Sequence, residues 1–118
     1  MTCYKFTVPW PPSVNMWTRS FKGRSILTKK GRQYRVDLAS HMTALKLNNE
    51  GLEGDLEVKM TLNPPTLRRY DIDNFCKSLF DGLTKVGFWN DDEQIVDLHI
   101  KKGEKTKGGN VELTVLQR

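Results

Sequence analysis

Apolar and polar positions alternate with two different periods along this chain. Tyr4, Phe6 and Val8 alternate with Lys5 and Thr7, the period of two that predicts a first strand. Thr28 reads as the N-cap of a helix running to about Leu47, with Tyr34, Leu38, Met42 and Leu45 as its buried stripe. Leu56, Val58, Met60 and Leu62 alternate with Glu57, Lys59 and Thr61, which predicts a second strand. Pro64-Pro65 stops it, because proline continues neither a helix nor a central strand. Ile72, Phe75, Cys76, Leu79, Leu83 and Val86 then recur at the three-and-four spacing of an amphipathic helix. Asp71 or Asp73 can cap its first turn, and Gly87 stands where a helix ends. Val96, Leu98 and Ile100 alternate with outward Asp97, His99 and Lys101 as a third strand; Val111, Leu113 and Val115 make a fourth, paired with it as a hairpin. The order β-α-β-α-β-β predicts a two-layer α+β domain, two helices on a small four-stranded sheet that is mixed or antiparallel.

The segments between these elements carry much of the charge. Pro9-Trp10-Pro11-Pro12 ends the first strand stiffly and reads as a rigid turn anchored by Trp10 under the core. Residues 13–28 look like a loop, in which Arg19, Lys22 and Arg24 interleave with Trp17 and Phe21. That mixture suits phosphate contacts with base or sugar packing, and it equally suits a solvated loop pinned by its aromatics. Lys29, Lys30, Arg32 and Arg35 crowd the start of the first long helix, where the helix dipole disfavours positive charge, an arrangement that facing phosphates would explain. Lys105 and Lys107 lie in the glycine-containing loop between the last two strands, suited to a DNA backbone or simply to solvent.

Composition narrows the classes. The 118 residues carry 19 Lys+Arg against 14 Asp+Glu, a net charge of +5, and are read as one domain over residues 1–118 with a basic bias that fits a nucleic-acid partner. No apolar run is long enough for a membrane span and no charged-then-apolar leader is present, so a cytoplasmic protein is expected. Cys3 and Cys76 are far apart, and Cys76 falls on the apolar helix face, so no disulfide is expected; two histidines and two cysteines without paired spacing make zinc improbable.

Against that basic background, the densest carboxylates stand beside cations. Arg68 and Arg69 precede Asp71 and Asp73, Lys77 follows one helical turn later, and Asn90-Asp91-Asp92 turns back after the helix. At about 100° per residue, Asp73, Lys77 and Thr84 share the polar side within about 40°. If the Asn90 turn returns to the helix start, three or four carboxylates and one lysine converge, the oxygen-rich setting that Mg²⁺ requires. The plainer alternatives are a helix cap, an Asp73–Lys77 i,i+4 pair worth ~0.3–0.5 kcal/mol, and ordinary turn chemistry at Asp91-Asp92.

These residues also carry a family resemblance. Pro9-Trp10-Pro11-Pro12-Ser13, Gly31 with Tyr34-Arg35, Arg69 with Asp71-Ile72-Asp73-Asn74, Lys77, the run Phe80-Asp81-Gly82-Leu83-Thr84-Lys85-Val86-Gly87-Phe88-Trp89-Asn90-Asp91-Asp92, and Thr106-Lys107-Gly108-Gly109 resemble RusA-type Holliday junction resolvases over nearly the whole chain. The resemblance implies a homodimeric endonuclease, dependent on Mg²⁺ or Mn²⁺ and on no organic cofactor, that cuts four-way DNA junctions by paired symmetric nicks in a bacterial or phage-infected cell, at the nucleoid. It places catalytic carboxylates at Asp71, Asp73 and Asp92, with Asp91 as an alternative ligand, and the essential lysine at Lys77. Asn74 and the basic residues named above join Arg68 and Arg69 as the expected DNA-binding set. Leu67-Arg68-Arg69-Tyr70, before the first Asp, departs from the family pattern in being thinner in charge and ending in an aromatic. The competing class is a branched-DNA-binding protein without catalysis, in which the acidic cluster is structural.

Overall fold

A computed structural model describes residues 2–118. Its elements run β1 (Thr2–Pro9), α1 (Val14–Trp17), β2 (Thr18–Phe21), β3 (Arg24–Leu27), α2 (Lys29–Ala44), β4 (Leu56–Asn63), α3 (Cys76–Lys85), a 3₁₀ turn (Asp92–Gln94), β5 (Ile95–Lys102) and β6 (Asn110–Gln117). The α+β class and the mixed four-stranded sheet agree with the sequence pattern. The element list and the strand pairing do not.

Residues 13–28, expected to be loop, hold α1 and a hairpin. Its two-residue turn puts Lys22 at φ 51° and Gly23 at φ 74°, the left-handed pair whose twist matches that of antiparallel strands. The last two strands do not form a hairpin either. The main sheet runs β1-β6-β4-β5, with β5 parallel to β4 and β6 antiparallel to both β1 and β4. β4, α3 and β5 therefore form a βαβ crossover, and the 103–109 connection carries the chain past β4 to insert β6. Central β6 buries Val111, Leu113 and Val115, whereas edge β5 leaves Val96 50% and Leu98 40% exposed, against their expected inward placement. His99 is on the surface, as expected, with Nε2 3.0 Å from Asp97 Oδ1.

One face of the sheet supplies Phe6, Val8, Leu56, Val58, Met60 and Leu62 to the core, and the helices cover it with Tyr34, Leu38, Met42, Leu79, Phe80 and Leu83. Each such side chain stabilises the fold by roughly 1.5–3 kcal/mol relative to exposure. α2 begins as predicted, with Thr28 Oγ1 accepting the Gly31 N–H at 2.9 Å, but it ends at Ala44 and leaves Leu45 half exposed. α3 starts later than the apolar spacing suggests. Residues 72–75 are turn, Phe75 occupies the N-cap position, Ile72 is exposed, and neither Asp71 nor Asp73 caps the helix with its side chain. At the other end Phe88 N–H bonds Leu83 O at 3.1 Å and Gly87 N–H bonds Thr84 O at 3.0 Å, with Gly87 at φ 79°. That paired pattern stops the helix and throws Phe88 and Trp89 into the core.

Candidate active site

The site is built where the proline-rich turn meets the start of α3. Trp10 packs edge-on to Tyr70 at 5.8 Å and tilted on Phe75 at 4.6 Å between ring centres, so it clamps both ends of the Asp71–Asp73 turn. Ser78, fully buried, donates from Oγ to the Pro12 carbonyl at 2.6 Å and ties α3 to the same turn. Trp10 is thus the anchor that the sequence suggested.

Asp71 opens onto a shallow cleft of about 420 Å³, lined also by Arg69, Tyr70, Asn74 and Lys102. Lys102 reaches in from the end of β5. Its Nζ donates to Tyr70 O at 2.6 Å and lies 4.5 Å from the Tyr70 ring centre. Asp73 is exposed in the turn, and its charge joins burial, the larger cause, in pushing the Cys76 thiol pKa up. The thiol is only half buried, less than its position on the apolar face suggested.

Lys77 does not pair with Asp73. Its ammonium stands 3.3 Å from Oδ2 and 3.4 Å from Oδ1 of Asp81, one turn further along α3. Asp81 is held from the other side by the buried Trp17, whose indole N–H donates to Oδ2 at 3.1 Å. Asp92 completes this group. Burial chiefly, then its hydrogen bond with Asp91 and the charges of Asp81 and Asp91, raise its pKa, and Lys77 partly offsets them.

Asp91 and Asp92 are separated in role. Asp91 caps the 3₁₀ turn, accepting the Glu93 N–H at 3.0 Å, while Gln94 Oε1 accepts the Asp91 N–H at 2.8 Å. That backbone bond, ahead of the one from Asp92, lowers the Asp91 pKa. The expected convergence of three or four carboxylates is not present as such. Among the described residues no three His, Cys, Asp or Glu side chains stand close enough to hold one ion. Asp71 lines the cleft, and Asp81 and Asp92 stand around Lys77; the donor types suit a hard cation, but they do not form a ready-made metal site.

The expected DNA-binding residues form several patches. Arg19, Lys22 and Arg24 project from the β2–β3 hairpin, with Arg19 and Lys22 each 5.5 Å from the exposed Phe21 ring centre. On α2, Lys29, Lys30 and Arg32 are exposed, and Arg32 also donates to Leu27 O at 3.0 Å. Arg35 is half buried over Trp17 at 5.9 Å, its Nε without a partner. Lys105 and Lys107 are exposed in the β5–β6 connection, and Arg68 is exposed beside the cleft that Arg69 lines. Asn74 anchors the site to α1, its carbonyl accepting the Val14 N–H at 2.8 Å. A larger groove of about 570 Å³ crosses the helix-free face of the sheet between Lys59, His99, Lys101 and Glu112, away from the carboxylates.

Asp81, Lys102 and Trp17 were not singled out for the site by spacing. Asp81 alone had a usable signal, lying four residues after Lys77; the other two come from elements whose placement only the tertiary fold sets.

Comparison with known proteins shows what the chain is similar to. Residues 9–116 match the family model described as Endodeoxyribonuclease RusA. The chain is 40% identical over 117 residues to proteins named crossover junction endodeoxyribonuclease RusA from Escherichia coli (strain K12) and Enterobacteria phage 82, covering 99% of this chain and 97% of each relative. The protein of that name from Shigella sonnei is 39% identical over the same shares. A match of this extent places the chain in the RusA endodeoxyribonuclease family.

Proposed function

We propose that the chain, as one RusA-type domain, resolves four-way DNA junctions by paired symmetric nicks in recombination and repair. The observation that carries this is Lys77, held by Asp81 beside Asp92 and one turn beyond Asp73, in a chain matched to the family almost end to end. In each nick a water oxygen bonds to phosphorus as the P–O3′ bond breaks, leaving a 5′-phosphate and a 3′-hydroxyl. Lys77 supplies a cation where charge accumulates on the phosphoryl oxygens, and Arg69 and Lys102 grip the neighbouring backbone from the cleft.

The proposed cofactor is Mg²⁺, with Mn²⁺ able to substitute, and the proposed ligands are Asp71, Asp73 and Asp92. The capping role of Asp91 favours Asp92 over it as the third. The proposed assembly is a homodimer, since a two-fold junction offers equivalent strands to two identical sites. The hairpin, α2 and the 103–109 connection would grip the arms, giving binding that weakens with salt. Its place of action would be the nucleoid of a bacterial or phage-infected cell.

The alternative class is a branched-DNA-binding protein that does not cut. Incubating a mobile four-way junction with Mg²⁺, beside an EDTA control and Asp73→Asn, decides between them. Paired nicks by the wild type, with Asp73→Asn binding but not cutting, support the nuclease. Tight binding without nicks in Mg²⁺ or Mn²⁺ would sink it.

A further inference from the structure

Asp81 lies outside the carboxylate set that the family resemblance assigns, yet it is the residue that holds Lys77. Lysine is a flexible, strongly hydrated cation, and at 62% side-chain exposure Lys77 would sample many rotamers if free. Asp81 restrains it with both carboxylate oxygens, at 3.3 and 3.4 Å. Asp81 is itself fixed by the Trp17 N–H at 3.1 Å, and Trp17 is 1% exposed. Gly31, Tyr34 and Arg35 surround the Trp17 ring, so the donor cannot swing away.

Helix stability alone does not account for the pair. A lysine four residues ahead of an acid is the weaker orientation for an exposed i,i+4 pair. The third contact, from a buried indole outside the helix, adds nothing that a solvated pair would need.

We propose that Asp81 is a positioning residue for strand cleavage: anchored by Trp17, its carboxylate sets where the Lys77 ammonium meets the scissile phosphate. This rests on the reading of Lys77 as part of the cleavage site. It also gives the N-terminal segment a part in the reaction. Trp17 ends α1 and leads directly into the basic β2–β3 hairpin, so a strand gripped by Arg19, Lys22 or Arg24 is linked through one side chain to the site.

The test is single-turnover cleavage of a four-way junction in Mg²⁺ by the full chain, with junction Kd measured separately in EDTA. The variants are Asp81→Asn, Lys77→Ala, their double mutant and Trp17→Phe, with a melting curve for each. Lys77→Ala is expected to slow cleavage by ~10²-fold or more. Asp81→Asn is expected to slow it about tenfold with Kd changed less than about twofold, and to add less than about twofold when Lys77 is already alanine. Trp17→Phe keeps a six-membered aromatic ring, loses the pyrrole ring with its N–H and should reproduce part of the Asp81→Asn defect; it carries the test if Asp81→Asn melts early.

Wild-type cleavage by both Asp81→Asn and Trp17→Phe would overturn the proposal. So would an Asp81→Asn defect of equal size with and without Lys77, or one matched by lost junction affinity. If Lys77→Ala itself cuts normally, the reading of Lys77 fails and the role of Asp81 falls with it. A slow Lys77→Ala beside a fast Asp81→Asn would overturn the role of Asp81 alone.

Discussion

Gly31 has no side chain because the Trp17 backbone fills that space: a Cβ there would stand 2.5 Å from the Trp17 carbonyl oxygen and 3.2 Å from Cε3 of its ring. Glycine inside a helix ordinarily costs about 0.5–1 kcal/mol relative to alanine, so Gly31→Ala in the first turn of α2 would normally stabilise. Here the backbone oxygen cannot move without displacing Trp17, and the sign reverses. The expected outcome is a loss of about 1–3 kcal/mol, the range for overpacking. Thermal unfolding of Gly31→Ala against wild type checks it, and a raised Tm would contradict the contact.

Thr84 was expected on the polar side of its helix with Asp73 and Lys77. It turns instead to Trp89, whose buried indole N–H donates to Thr84 Oγ1 at 2.7 Å, while Thr84 Oγ1 donates to Phe80 O at 2.9 Å. Thr84→Val keeps the shape and leaves that indole unpaired, which costs about 1–3 kcal/mol. Thr84→Ser retains the acceptor and should lose much less. Denaturant unfolding of the pair separates the hydrogen bond from packing, and equal losses would count against it.

What was legible in the sequence follows from what side-chain periodicity encodes. Strict alternation in β4 and β6, the Thr28 cap and the Gly87 stop are local, and each is where the pattern puts it. Alternation does not say which strand is a neighbour, so Val96 and Leu98 on edge β5 read like the buried residues of β6. The β2–β3 hairpin was hidden because Lys22-Gly23 is a weak turn signal between strands with few apolar residues. The positions of Asp71, Asp73, Lys77 and Asp92, which are proposed for the site, stand out in the sequence as a charge pattern. Their grouping does not, because Asp73 lies in a turn before α3 and Lys77 is claimed by Asp81.

Lys102 presents a further cation to the Asp71 cleft, held there by the Tyr70 carbonyl and ring. With Arg69 it makes that cleft attractive to a phosphate despite Asp71. Replacing it by methionine keeps its apolar stem and removes the charge. Junction affinity is expected to fall several-fold, with the slope of log K against log salt shallower by about one unit, the mark of a lost phosphate contact. Fluorescence anisotropy across a salt series in EDTA checks it. An unchanged slope would leave Lys102 as a support for Tyr70 only.

Asp92, a proposed metal ligand, carries a stability cost of definite sign. Burial, its hydrogen bond with Asp91, and the charges of Asp81 and Asp91 all favour its protonated form, and Lys77 offsets only part. Its folded pKa therefore lies above the ordinary 3.8. Below both values the carboxyl is protonated in the folded and unfolded chains alike and contributes nothing. Above the folded value it must ionise against its surroundings, so at neutral pH it destabilises the fold. Asp92→Asn removes that cost. In EDTA its Tm should exceed that of wild type at pH 7, and the gap should narrow as pH falls through the raised folded pKa and be closed below 3.8. The same substitution should lower junction cleavage by at least ~10²-fold, since even indirect support of a metal ligand is worth 10–100-fold. A variant more stable and less active, with the stability gain confined to the higher pH range, is the expected result. Equal or lower stability at pH 7 would mean that Lys77 already neutralises Asp92.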